Sequence, residues 1–207
     1  MRRGFGLSLL LIVAVLAGIG AIVIRDVLLR GFSARTPPAK VEVALAATVR
    51  RHAIPARYQH MQNPVVSSPE VLHAAEAHWA DHCATCHANN GSGETMFGRT
   101  MYPRPPDMRL GQTQSQSDGE LYYTIQNGVP LSGMPAFGDP GDSDMDTWRL
   151  VTFIRHLPQL TSAEELEMED LNPKSPDEMQ EDQEEQNFLN GTPAQPKRNT
   201  TGKEPIR

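Results

Sequence analysis

The chain has 207 residues, 39% of them hydrophobic and 6% aromatic, with 17 prolines, two cysteines and a formal net charge of −6. Two cysteines exclude a disulfide framework, and no region has the concentrated basic character of a nucleic-acid surface. The length admits one large domain or two small ones, but the charge is laid out in blocks that no single domain would show.

Residues 1–60 hold nine Lys/Arg against two Asp/Glu, a net of +7. Residues 61–160 hold five against eleven, and residues 161–190 hold one against eleven. The last seventeen residues return to a net of +3.

Residues 5–24 (FGLSLLLIVAVLAGIGAIVI) form an uncharged, apolar run between Arg2-Arg3 and Arg25-Asp26. As a helix the run spans roughly 30 Å, the thickness of a bilayer's hydrocarbon layer. A buried core helix is disfavoured because the run has no polar face. It is also longer than the apolar part of a cleaved signal needs, so an uncleaved anchor over residues 1–30 is expected. Basic residues flank both sides, and the charge rule does not settle orientation.

Residues 31–67 read as a linker carrying a short helical segment. Pro37-Pro38 and small residues open it, and residues 41–51 have room for three helical turns before Pro55. The basic cluster Arg50, Arg51 and Arg57 is read as solvated in preference to lipid-bound.

Residues 68–160 carry the helical pattern of a small domain. Ser68 is placed to cap, Pro69 suits a first turn, and Val71, Leu72, Ala75 and Trp79 recur at helical spacing. This helix runs into Cys83-Ala84-Thr85-Cys86-His87. Residues 88–116 are rich in Gly, Pro, Ser and Gln and read as a long loop. A second helix is predicted from Ser117, with Glu120 completing a capping box, to Asn127-Gly128. A third is predicted over residues 145–156, ended by Pro158. No strand pattern competes, so the expected fold class is all-α. Three helices and a long loop make a poor core unless something fills it.

C-x-x-C-H is the attachment sequence of a c-type haem. Two thiols three positions apart reach two vinyl groups on one porphyrin edge, and the adjacent His87 projects toward the iron. Zinc would need a second ligand pair at finger spacing, which is absent. A thioredoxin-like pair needs a βαβ setting, also absent. His78 and His82, four apart, read as exposed polar residues rather than ligands.

The other axial ligand is sought among the methionines. Met61, Met168 and Met179 lie outside the core pattern, Met145 begins a helix, and Met96, Met101 and Met108 sit in the loop. Met134 stands in Leu131-Ser132-Gly133-Met134-Pro135-Ala136-Phe137. There Gly133 permits close approach and Pro135 stiffens the turn, which favours ligation by Met134 over ordinary packing.

With these features together, residues 68–160 resemble the single-haem class I cytochromes c of bacteria. The resemblance rests on Trp79 four residues before Cys83, on the Cys83–His87 motif followed by Gly91-Ser92-Gly93, and on Tyr102-Pro103-Arg104-Pro105-Pro106-Asp107. It continues through Gly128, Gly133-Met134-Pro135 and the closing helix with Trp148. One departure is Ala75, where the family commonly has Gly at a helix crossing. The resemblance implies one covalent haem c, Cys83 and Cys86 as its thioether attachments, and His87 and Met134 as axial ligands. A backbone carbonyl within residues 103–106 is expected to accept the His87 ring N–H.

These residues imply single-electron transfer rather than catalysis. Haem c is attached outside the bacterial cytoplasm, so the expected placement is a single-pass inner-membrane protein, N-terminus inside and haem domain in the periplasm. Alternatives are a haem subunit fixed in a respiratory or dehydrogenase complex, and a haem sensor or peroxidase if Met134 leaves the iron. The acidic haem domain favours redox partners with basic docking surfaces.

Residues 161–207 read as an acidic tail. Thr161 to Glu165 begin a short capped helix extending to about Asp170. Beyond Asn172-Pro173 the composition is that of disorder. A solvated tail is the plainer reading, and docking to a basic partner the sharper one.

Overall fold

The computed structural model describes residues 2–31, 33–138 and 144–190, which are helical or irregular, with no strand among the described residues. Helix α1, Arg2–Arg30, contains one stretch, Ser8–Leu29, long and apolar enough to cross a membrane, and none of that stretch is buried. Helix α2, Lys40–Ala53, likewise buries no residue.

From Ile54 onward the chain enters the core, earlier than the expected domain start at Ser68. Ile54 and Tyr58 are buried, Tyr58 lying on the short helix α3, Ala56–Gln59. The Tyr58 ring stacks on Tyr122 at 6.4 Å and tilts against Tyr123 at 4.8 Å. Asn63 Nδ2 donates to the carbonyl of Trp148 at 3.0 Å and to Thr152 Oγ1 at 2.9 Å. Residues 54–65 are therefore part of the folded unit rather than linker. Ring stacking and these bonds tie them to helices some sixty to ninety positions later in the chain.

Helix α4, Pro69–His78, starts as expected: Ser68 Oγ accepts from Val71 N at 3.3 Å and Pro69 occupies the first turn. It packs against helix α8, Met145–His156, and Ala75 is buried without disturbing either helix. A π-helical turn, Trp79–Cys83, continues α4 into α5, Ala84–His87.

The long loop is ordered by polar bonds to α8 and contains a short helix, α6, Gly111–Gln114. Gln114 Nε2 donates to Met108 O at 2.7 Å and to Ile154 O at 2.8 Å. Arg155 binds Asp118 Oδ1 at 2.8 Å and the carbonyl of Gln114 at 2.9 Å. These satisfy backbone carbonyls that a loop on a helix would otherwise leave unpaired.

Helix α7, Asp118–Asn127, has the full Ser117/Glu120 capping box. On α8, Asp144 caps the first turn, and Trp148, Leu150, Val151, Phe153 and Ile154 are buried. Tyr122 stacks on Trp148 at 4.1 Å, joining α7 to α8.

Helix α9, Ser162–Glu169, is capped by Thr161 and Glu164, and its Met168 is completely buried. Glu165 Oε1 accepts from Asn90 Nδ2 at 2.8 Å, and Glu164 pairs with His156 at 2.9 Å. The core therefore takes in the first part of the acidic segment.

Residues 176–189 correct the expectation of disorder. Helix α10, Pro176–Leu189, is capped by Ser175 and Glu178 and buries nothing. Its first turn has Pro and two acids, and Gln180–Glu184 adds an i,i+4 bond at 2.7 Å. Local capping and propensity suffice for a helix there, whereas composition judged only the lack of apolar residues. The remainder of the expected disorder, residues 191–207, lies outside the described residues.

Candidate haem site

The attachment sequence occupies the end of one continuous helical path. The backbone N–H of Ala84 bonds to the carbonyl of Trp79, five residues back, and this wider turn carries Cys83. Single π turns occur mostly at functional positions in helices. Cys83 and Cys86 are both half-buried free thiols, and Cys83 packs against the core. Burial first, and the neighbouring Cys86 second, push the Cys83 thiol up to about 12.

His87 ends the path. Burial pushes its imidazole down to about 4, so the ring is neutral at physiological pH with a lone pair free for a metal. The Trp79 ring lies 5.8 Å away at 48°.

One expectation is corrected here. His87 Nδ1 is buried and has no hydrogen-bond partner, so no carbonyl of residues 103–106 accepts from it. The Pro105 carbonyl lies instead against Gly93, 2.8 Å from where a Cβ there would stand.

The turn after His87 is held under strain. Ala88 has φ +63° and ψ 159°, a region almost restricted to glycine. Its carbonyl accepts from Trp79 Nε1 at 3.0 Å, and Gly93 N donates to His87 O at 2.8 Å.

Met134 sits on a loop clipped to the end of α7. Gly128 closes the helix at φ +68° and ψ −172°. A Cβ on it would stand 2.6 Å from the Pro135 carbonyl carbon and 2.8 Å from Met134 O. Val129 N donates to Met134 O at 3.1 Å, Met134 N to Ser132 Oγ at 3.1 Å, and Phe137 N to Ile125 O at 3.1 Å. The thioether is partly buried against the core.

The other methionines separate by place. Met96, Met145 and Met179 are exposed, while Met108 and Met168 are in the core and Met61 packs on it. Met101 alone shares the neighbourhood of Met134: its Cε lies 2.0 Å from where a Cβ on Gly133 would stand. Nothing in sequence spacing signals that approach, since Met101 and Gly133 are thirty-two positions apart.

The residues present fit a covalent haem c. Two free thiols at the required spacing, a half-buried neutral imidazole with an orphaned ring nitrogen, and two methionine sulfurs near one loop form the right donor set. Among the described residues no group of three or more His, Cys, Asp or Glu gathers as a metal site. His78 and His82 touch edge-to-face at 5.0 Å.

No curated protein matches the chain. Residues 70–154 match the family model described as cytochrome c oxidase, cbb3-type, subunit III. That segment runs from the first turn of α4 to Ile154 of α8 and contains Cys83, Cys86, His87 and Met134. With the attachment turn and the helical fold around it, residues 70–154 are similar to a c-type cytochrome domain.

Proposed function

We propose that this chain carries single electrons through one haem c, attached by thioether bonds to Cys83 and Cys86 and ligated by His87 and Met134. The observation that carries the reading is His87, half-buried and neutral, with its Nδ1 buried and unpaired, at the end of the turn that bears both thiols. When bound, haem c supplies the Fe(III)/Fe(II) couple, and a methionine ligand favours the reduced state.

The rest is done by the chain. The π turn and the Trp79–Ala88 hydrogen bond hold Cys83, Cys86 and His87 in one rigid unit. The bonds from Val129 N to Met134 O and from Met134 N to Ser132 Oγ, with Gly128 packed close against Met134 O, fix the backbone of Met134, so the sulfur is presented with little freedom to lose. With haem bound, His87 and Met134 would hold the iron between two side chains, which supports a relay role over catalysis.

The span Ser8–Leu29 serves as an uncleaved anchor, with the haem domain on the periplasmic face because haem c is attached there. The acidic domain and α10 favour a partner with a basic surface. A second reading is favoured by the family match, whose description names an oxidase subunit. In it the same haem is fixed within a respiratory complex, and co-purification with a complex distinguishes it from a free shuttle.

The ligand assignment is tested by the ferric spectrum of Met134→Ala beside Met101→Leu. Loss of the near-infrared Met–Fe(III) band and ready CO binding in the first alone support Met134; the same loss in the second alone overturns it. Protease added to intact spheroplasts is expected to cut the haem domain. Cutting only after lysis overturns the orientation.

A further inference from the structure

Helix α2 is amphipathic, and its apolar stripe is left exposed among the described residues. Val41, Leu45 and Val49 recur every four residues on one face, and they are 75%, 64% and 59% exposed. Two polar residues share that face, and both turn back onto the helix. Thr48 Oγ1 donates to Ala44 O at 2.8 Å, and His52 Nδ1 lies 2.8 Å from Thr48 O.

Other side chains of the helix face the haem domain. Glu42 accepts from the Tyr102 hydroxyl, and Arg51 lies 3.8 Å from Glu120. These two contacts hold α2 beside the domain while leaving the stripe uncovered.

We propose that α2 lies in the membrane interface, with Val41, Leu45 and Val49 in the acyl–headgroup boundary and Lys40 and Arg50 toward anionic headgroups. The inference rests on the anchor reading of α1. Ten residues separate Leu29, at the end of the apolar span, from Lys40, so the helix starts within about 35 Å of the bilayer. An exposed apolar stripe with flanking basic residues, tethered this close to a bilayer, is the pattern of an interfacial helix. A partner protein would explain the stripe but not its continuity with a membrane span. The consequence is orientation: the Tyr102 side of the haem domain is held toward the lipid surface.

The test uses the full-length holoprotein in vesicles of phosphatidylcholine with phosphatidylglycerol. Haem attachment consumes Cys83 and Cys86, so Leu45→Cys and Ala47→Cys each carry one reactive thiol. Ala47 lies on the far side of the helix from Leu45. A water-soluble, membrane-impermeant maleimide is expected to react about tenfold more slowly at position 45 than at position 47. Equal rates in vesicles that retain the protein through a carbonate wash overturn the inference and leave the anchor standing. Release of the protein by the wash overturns the anchor and the inference with it. Protection of position 45 only in native membranes, and not in pure vesicles, assigns the stripe to a protein and overturns the lipid reading.

Discussion

The indole N–H of Trp79 donates at 3.0 Å to the carbonyl of Ala88, the residue that follows His87 and holds φ +63°. The bond spans the whole attachment sequence, so one buried ring fixes the entry and exit of the turn that carries both thiols. It also helps to hold a backbone conformation that alanine adopts only when its surroundings impose it.

Two variants of this pair are expected to move stability in opposite directions. Ala88→Gly relieves the strain, less the extra entropy of a glycine in the unfolded chain, and should stabilise by about 1 kcal/mol. Trp79→Phe removes one of the two donors to the Ala88 carbonyl, which still accepts from Gly91 N at 3.1 Å, and loosens packing on Phe153 and His87, and should destabilise by about 1–3 kcal/mol. Urea unfolding of the holoprotein reads both as shifts of midpoint at unchanged slope. Destabilisation by Ala88→Gly would show that the conformation carries no strain.

Gly128 positions Met134 through its backbone. Gly128→Ala places a methyl group against Pro135 and Met134 O in a conformation reserved for glycine, and should cost about 1–3 kcal/mol. The Met–Fe(III) band is expected to weaken while thioether attachment persists. Gly111→Ala, with nothing within 4 Å of the added Cβ and a place in α6, should leave that band unchanged. Equal behaviour of the two variants would remove Gly128 from the positioning of the ligand.

The folded unit reaches beyond the segment that carries the cytochrome pattern. Asn63→Ala removes two donations to α8 and one acceptance from Val65 N, and should cost about 2–3 kcal/mol. A fragment of residues 54–170 keeps Tyr58 and Met168 in place, and one of residues 68–160 lacks both. Thermal melts of the two holo fragments are expected to differ by well over 10 °C, given about 4–8 °C per kcal/mol for a domain of this size. Matching melts would return residues 54–67 to the linker.

Glu76 is buried on α4, and burial first, then the Glu164 charge, raise its carboxyl above the ordinary glutamate range. His73 and His156 oppose that shift, and Glu167 adds to it. A carboxyl raised on folding binds its proton more tightly in the folded state, so ionising it costs stability as pH rises through the folded pKa. Glu76→Gln should therefore be more stable than the parent at pH 7, with the difference vanishing below about pH 4. Unfolding curves at the two pH values check this, and a variant less stable at pH 7 would show that the carboxylate has a favourable partner there.

Much of the domain was legible along the chain because its signals are local. Ser68-Pro69, Ser117 with Glu120, and Thr161 with Glu164 each close a helix start within four residues, and all three form as read. Asn127-Gly128 ends α7 for the same reason. Helix α10 escaped because burial, not capping, was the criterion applied to an acidic segment without apolar residues. Ile54, Tyr58 and Met168 escaped because each packs against helices far away in sequence, which no period within its own segment records. No carbonyl of residues 103–106 meets the His87 ring because a backbone oxygen's direction depends on the whole fold of the loop.

The sequence by itself determined the apolar span and the haem-attachment turn, since covalent chemistry and spacing over five residues need no tertiary context. Tertiary structure alone decided that Met101 lies beside Gly133, that Nδ1 of His87 is buried and unpaired, and that the α2 stripe faces outward. Each of those depends on burial or on contacts between residues tens of positions apart, and desolvation of a ring or exposure of a stripe exists only once those segments have packed.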